Sequence, residues 1–152
     1  MIKWDDKYSV GISIIDDEHK EFIAMINKAV AIKENNSNPE EVREILYEMI
    51  KYALKHFATE ETYMKKFNFP EFQLHRNEHL DFADKTFANL NKVIMGDYQV
   101  ANEILEYLKQ WLVNHIHGTD RKYIDCFNKN GLNKDLQIFQ FKSDPPQAAS
   151  HL

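Results

Sequence analysis

One cysteine, Cys126, in 152 residues removes several classes of structure at once. No internal disulfide can form, no disulfide-linked partner is expected, and a single thiol builds neither a cysteine-rich zinc site nor an iron–sulfur cluster. Glycine and proline are also scarce, four of each. These residues punctuate turns, so their rarity predicts long helices with few breaks. No apolar run approaches the roughly 20 residues of a membrane span, and the opening Met1 Ile2 Lys3 Trp4 Asp5 Asp6 lacks the apolar region of a signal peptide. Lys and Arg number 19 against 24 Asp and Glu, with no basic cluster, which argues against a nucleic-acid partner because phosphate binding needs concentrated positive charge. What remains is a mildly acidic chain, long enough to bury a core without cross-links, expected in a reducing cytoplasm with no membrane partner.

Seven histidines are the feature that this composition leaves unexplained. Their meaning depends on where they fall. Residues 1–17 read as an extended arm, with Val10, Ile12 and Ile14 alternating against Gly11 and Ser13. Asp16 or Asp17 can cap a first helix starting near Glu18, whose stripe is His19, Phe22, Ile23, Ile26, Ala29 and Val30. Asn35 Asn36 Ser37 Asn38 Pro39 breaks the chain and starts a second helix, which runs to about Lys65 and is stopped by Phe67 Asn68 Phe69 Pro70. Its stripe is Val42, Leu46, Met49, Ala53, His56, Glu60 and Met64. A third helix from Glu71 carries Phe72, His75, His79, Phe82, Ala83, Leu90, Val93 and Ile94 on one face and ends at Gly96 Asp97. The fourth opens near Tyr98, groups Ala101, Ile104, Leu108, Trp111, Leu112 and His115, passes Asp120 and is capped by Gly131. Four such segments joined by short loops predict an all-α fold, an antiparallel up-down four-helix bundle with an N-terminal arm. Residues 1–131 form the expected domain, and 132–152 read as a loosely ordered extension.

Polar residues on these inward stripes need an explanation, because burying one without a partner costs several kcal/mol. Seven do so: His19, His56, Glu60, His75, His79, His115 and Asp120. Residues four apart in a helix lie one above the other, so His56 with Glu60, and His75 with His79, can each reach a common point. Either pair alone is common by chance, and each residue taken singly has an ordinary surface role. The joint occurrence carries the weight, since every helix contributes and every contribution faces inward. His79 and Asp84 repeat the five-residue offset of His115 and Asp120, but Asp84 falls off the stripe. His117 and His151 are expected to be bystanders.

Imidazole and carboxylate without thiolate suit iron, zinc, copper or nickel. Seven ligands are too many for one ion. Two ions sharing Glu60, Asp120 and a solvent oxygen would divide five histidines three and two, leaving one ion a position short, where a small diatomic molecule can bind end-on. The bundle is filled by Phe, Leu and Ile, with little room for an organic substrate and no evident acid to drive O–O cleavage, which favours reversible binding over oxidation. An offset of five turns about 140° on a regular helix, so a distorted turn around Gly118 is expected if His115 and Asp120 are both to face inward.

The run Trp111 Leu112 Val113 Asn114 His115 Ile116 His117 Gly118 Thr119 Asp120, followed by Lys122 Tyr123, resembles the fourth-helix motif of the hemerythrins, and within them of the bacteriohemerythrins. Ile15 Asp16 Asp17 Glu18 His19 Lys20 is similar to their first-helix signature, with Trp4 and Tyr8 in a like arm. His56 Phe57 Ala58 Thr59 Glu60 Glu61 and His75 Arg76 Asn77 Glu78 His79 supply the remaining motifs in order. The resemblance covers about residues 2–131. It implies two non-haem iron ions, Fe2+/Fe3+, with a bridging oxo or hydroxo group, and reversible O2 binding for carriage, storage or delivery rather than an enzymatic activity. By matching positions it implies His75, His79 and His115 on the six-coordinate iron, His19 and His56 on the iron that binds O2, and Glu60 and Asp120 as bridges. Glu18 stands where bacterial members often have Gln, outside the ligand set. A di-iron oxidase or peroxide scavenger, or an oxygen or redox sensor, are the alternatives that the same centre allows, and an oxygen-using recipient protein is the partner that a carrier implies.

Overall fold

Capping residues and apolar stripes account for where the helices begin and end. In the computed structural model, which describes residues 1–35 and 38–132, α1 runs Ser13–Glu34, α2 Pro39–Lys66, α3 Phe72–Ile94 and α4 Tyr98–Asn114. The chain then passes through a π-helical turn, His115–Thr119, and a 3-10 turn, Asp120–Tyr123, into a short α5, Ile124–Lys129. Among the described residues there is no strand. Each long helix packs on the next, and α1 closes against α4, which gives the expected all-α four-helix bundle.

Asn38 caps α2 by accepting the Glu40 N–H at 3.0 Å, with Pro39 in the first helical position where its missing N–H is harmless. Asp97 caps α4 through the Val100 N–H at 3.3 Å. At the other ends the same device recurs. Asn68, at φ 53°, and Phe69 donate back to Lys65 and Met64. Gly131, at φ 84°, and Leu132 do so to Asn128 and Phe127, which makes Gly131 the cap expected of it. α2 ends at Lys66, directly before the expected stop Phe67 Asn68 Phe69 Pro70, and the chain turns at Asn68 before the restriction that proline places on Phe69 comes into play.

The start of α1 corrects the sequence reading. The helix begins at Ser13, not near Glu18, and Asp16 lies inside it, buried. Its carboxylate is no cap. It turns back to the arm, accepting the Val10 N–H at 2.8 Å and the Ser9 hydroxyl. Val10 and Ile12 are buried as the alternation required, but the next buried residue is Ile15 rather than Ile14, because the register has become helical. The arm also contains a 3-10 turn at Asp6–Tyr8. Ile94, assigned to the inward face of α3, is exposed with Leu80 and Phe87, since steps of seven residues return within about 20° of the same face of a helix and these three share an outward one. The loose ordering expected for 132–152, and His151 with it, lie from residue 133 onward outside the described residues.

The core divides into two apolar clusters. One gathers Phe22, Ile26, Met49, Ala53, Phe57, Phe82, Leu108, Leu112 and Ile116. The other joins Val10, Ile12 and Ile15 to Met64, Phe69, Tyr123, Phe127 and Leu132. On every helix the polar inward residues fall between these clusters, so the candidate site is a layer sealed on both sides.

Candidate metal centre

Glu60, between Ala53 and Met64 on the inward stripe of α2, has no exposed surface, and neither do His19 and Asp120. His56, His75, His79 and His115 are buried with them, so the fold brings all seven residues singled out from the sequence into one enclosed layer. Glu60 offers its two oxygens to two groups of histidines. Its Oε2 lies 3.2 Å from His75 Nε2 and 3.1 Å from His79 Nε2, while Oε1 lies 3.2 Å from His56 Nε2. Asp120 repeats the division. Oδ1 is 2.9 Å from His115 Nε2 and 3.3 Å from His75 Nε2, and Oδ2 is 3.1 Å from His19 Nε2. Two donor groups result, Glu60 with His75, His79 and His115, and Glu60 and Asp120 with His19 and His56.

The turn that delivers Asp120 is the distortion expected near Gly118. The Asp120 N–H bonds the His115 carbonyl, closing a five-residue loop of the π type that stacks Asp120 beneath His115. On an undistorted helix the two side chains would diverge. Asp84, with the same offset from His79 on regular α3, is exposed.

Three of the rings are gripped from outside by carboxylates that sequence reasoning did not assign. Glu18 Oε2 lies 3.3 Å from His56 Nδ1, Glu61 Oε1 2.9 Å from His79 Nδ1, and Glu78 Oε2 3.0 Å from His115 Nδ1. Thr119 donates to the same Glu78 oxygen at 2.7 Å. Tyr123, at the end of the fourth-helix motif, donates to Glu60 Oε1 at 2.9 Å. Each of the three glutamates directly adjoins one of the seven residues in sequence, Glu18 before His19, Glu61 after Glu60 and Glu78 before His79. That adjacency is the signal available, but it gives no hint of which ring is met, because every contact crosses to another helix. Rings also stack on the site from the apolar side, Phe57 on His79 at 3.9 Å and Trp111 on His115 at 4.2 Å between centroids. His117 faces away and meets Tyr8.

Electrostatics in the metal-free chain follow from crowding opposite charges out of water. Burial lowers the pKa of His56, but Glu60, Glu18 and Asp120 outweigh it and hold the ring up to about 10. His75 is likewise raised to about 9 against the cost of its burial, by Asp120 and Glu60. Burial opposes ionisation of both carboxyls, yet His56, His115 and His19 keep Glu60 well below the usual range, and His115 and His19 do the same for Asp120 against the added charge of Glu60. Burial, then Asp120 and Glu60, push the Tyr123 hydroxyl well above 10, so it stays a donor.

The donor set fits a pair of metal ions. Nε2 of His19 and His56 approach to 3.0 Å, and those of His79 and His115 to 3.1 Å. Two nitrogens about 2.1 Å from one ion, at right angles, sit about 3 Å apart. Both Asp120 oxygens, although close to imidazole nitrogens, lack an aligned hydrogen-bond donor. Two buried carboxylate oxygens without an aligned donor, set among converging imidazole nitrogens, are what a cation satisfies and a polar core alone does not.

Residues 10–127 match the family described as "Hemerythrin HHE cation binding domain". A bacteriohemerythrin of Stenotrophomonas maltophilia is 30% identical over 125 residues, covering 82% of this chain and 80% of the relative. A bacteriohemerythrin of Clostridium acetobutylicum is 29% identical over 129 residues and is covered over its full length, 100%. A hemerythrin-like protein of Naegleria gruberi is 32% identical over 120 residues, covering 79% of this chain and 88% of the relative. The crystal structure of a wild-type hemerythrin superposes with a TM-score of 0.77 at 28% identity, over 83% of this chain and 97% of that one.

Proposed function

Because this chain belongs to the hemerythrin family, we propose that it binds O2 reversibly at a non-haem di-iron centre, for carriage, storage or delivery and not for catalysis. His75, His79 and His115 hold one iron in this reading, His19 and His56 the other, and Glu60 and Asp120 bridge them. The observation that carries it is the division of both carboxylates: each presents one oxygen to the three-histidine group and one to the two-histidine group. The three-histidine group would fill more of its iron's positions than the two-histidine group, so His19 and His56 would hold the iron that takes the diatomic ligand. When bound, the two irons supply the electrons that O2 takes up and returns.

The surrounding residues favour return over reaction. The layer is closed by Phe22, Phe57, Leu112 and Ile116 on one side and by Ile15, Met64 and Tyr123 on the other, which keeps water and organic substrates from the metal-facing atoms. Tyr123, the hydroxyl donor to Glu60, is held in its protonated form and commits its proton to that carboxylate. No helix among the described residues is long and apolar enough to cross a membrane. A cytoplasmic carrier serving an oxygen-using recipient belongs to the same proposal, as do residues 1–131 as its domain.

The test is to load the protein anaerobically with ferrous iron, count metal per chain, admit O2 and follow visible absorption through cycles of deoxygenation. Two irons and a band that appears and vanishes reversibly are expected. Irreversible bleaching with consumption of peroxide would transfer the assignment to an oxidase or scavenger, and zero or one iron would end the di-iron reading.

A further inference from the structure

We propose that Glu18 is a positioning residue that acts through His56, and that its charge makes the iron held by His19 and His56 easier to oxidise. The inference rests on the di-iron reading. Glu18 is the last residue before His19 on α1, yet its carboxylate crosses to α2, where Oε2 stands 3.3 Å from His56 Nδ1. The other nitrogen of that ring, Nε2, faces Glu60 Oε1 at 3.2 Å inside the centre. One imidazole thus separates the Glu18 carboxylate from the metal-facing atoms.

Three comparisons within the molecule single this carboxylate out. The Glu18 side chain is 14% exposed, against 26% for Glu61 and 46% for Glu78. A charge with less water around it acts over a given distance through a lower dielectric. Glu61 shares its charge with Arg76 at 3.9 Å. In the three-histidine group, moreover, two rings have outer carboxylates, whereas in the two-histidine group His19 Nδ1 is buried without a partner. All the outer charge that reaches that group through a ring nitrogen among the described residues therefore passes through His56. The geometry is also held in place. Tyr52 donates to the Glu18 backbone carbonyl at 3.1 Å, pinning this turn of α1 to α2.

The physical consequence follows from the bond order of the imidazole. A carboxylate that accepts from Nδ1–H makes Nε2 a stronger donor and fixes the ring plane, and a buried negative charge nearby favours the more positive oxidation state. Glu18 then sets how readily this half of the centre gives up an electron.

Glu18→Gln separates charge from position, because the amide keeps an acceptor oxygen of the same reach, whereas Glu18→Ala removes both. Glu21→Gln, on the exposed side of α1, is the control. Each protein is loaded with iron, its metal content counted, and the potential of the more readily oxidised iron measured by anaerobic spectroelectrochemistry. A parallel Co2+ titration reads the affinity for the second ion without redox chemistry. Glu18→Gln is expected to hold two irons with a potential more positive by about 59 mV, a tenfold change for one electron. Glu18→Ala should show at least that shift and bind the second Co2+ roughly tenfold more weakly, and Glu21→Gln should match the wild type. Two irons in Glu18→Gln at an unshifted potential would overturn the inference, whatever Glu18→Ala does. Fewer than two irons in the wild type would instead overturn the reading beneath it.

Discussion

At the scale of the residue, two carboxylates in a dry layer have to be charged to serve, and their surroundings keep them so. Tyr123 contributes a neutral donor to Glu60, at 2.9 Å, where both are buried. Replacing it with Phe deletes the donor and leaves the carboxylate one bond short. Urea denaturation of the Tyr123→Phe chain should show a loss of about 1–3 kcal/mol with an unchanged slope. Glu60→Ala or His75→Ala should abolish binding of the metal pair, counted per chain, while His117→Ala, whose ring meets Tyr8 instead, should retain it. The imidazoles also make loading depend on pH. His56 and His75, held at about 10 and about 9, stabilise the metal-free fold fully below their usual 6.5, and that contribution fades as pH rises through 9 and 10. Metal must displace these protons. At pH 7 loading is therefore expected to release at least two protons per chain, read in a pH-stat, and affinity should climb with pH toward 9.

At the scale of the element, the π turn His115–Thr119 decides whether α4 contributes one ligand position or two. Inserting one alanine after Gly118, around which a Cβ would meet nothing, makes the offset six residues, which neither the α nor the π spacing stacks, and turns Asp120 away from His115 by about 100°. Helicity by circular dichroism should be preserved and metal content should fall to one ion or none. An intact pair in the insertion variant would show that Asp120 is not held by this turn. The arm is a second such case. Asp16 binds the Val10 N–H and the Ser9 hydroxyl, both on the strip that brings Val10 and Ile12 onto the cluster of Met64, Tyr123 and Phe127. Asp16→Ala strands a buried N–H, at a cost of about 1–3 kcal/mol in thermal or urea unfolding.

At the scale of the whole molecule, a polar layer between two apolar clusters couples metal to stability. Without metal the fold has to bury five imidazoles and two carboxylates. Ions that bind only the folded chain stabilise it by about 2.7 kcal/mol at a hundredfold excess over Kd. Chelation should therefore lower Tm by roughly 5–10 °C for a chain of this size. Equal Tm with and without metal would mean that the ions add nothing to the fold. The same layering explains what the sequence disclosed. Periodicity revealed the four helices and all seven inward polar residues, because inward residues recur at helical spacing whatever the partner helix does. It missed Ser13 as the start of α1, since an alternating strip and the first turn of a helix share apolar residues over so short a run. It also missed Glu18, Glu61 and Glu78, which lie off the core stripes and look like solvated charge.

The sequence by itself thus determined the helices, the exclusion of an internal disulfide or a cysteine-rich site and the identity of the buried donors, all of which follow from residue type and local spacing. Only the tertiary structure decided how those donors divide, with Glu60 and Asp120 each turning one oxygen to three histidines and the other to two. It alone paired His56 with Glu18, His79 with Glu61 and His115 with Glu78. The physical reason is that helical periodicity fixes the direction in which a side chain leaves its own axis, whereas distances between side chains on different helices depend on how far each axis is slid and rotated against its neighbour.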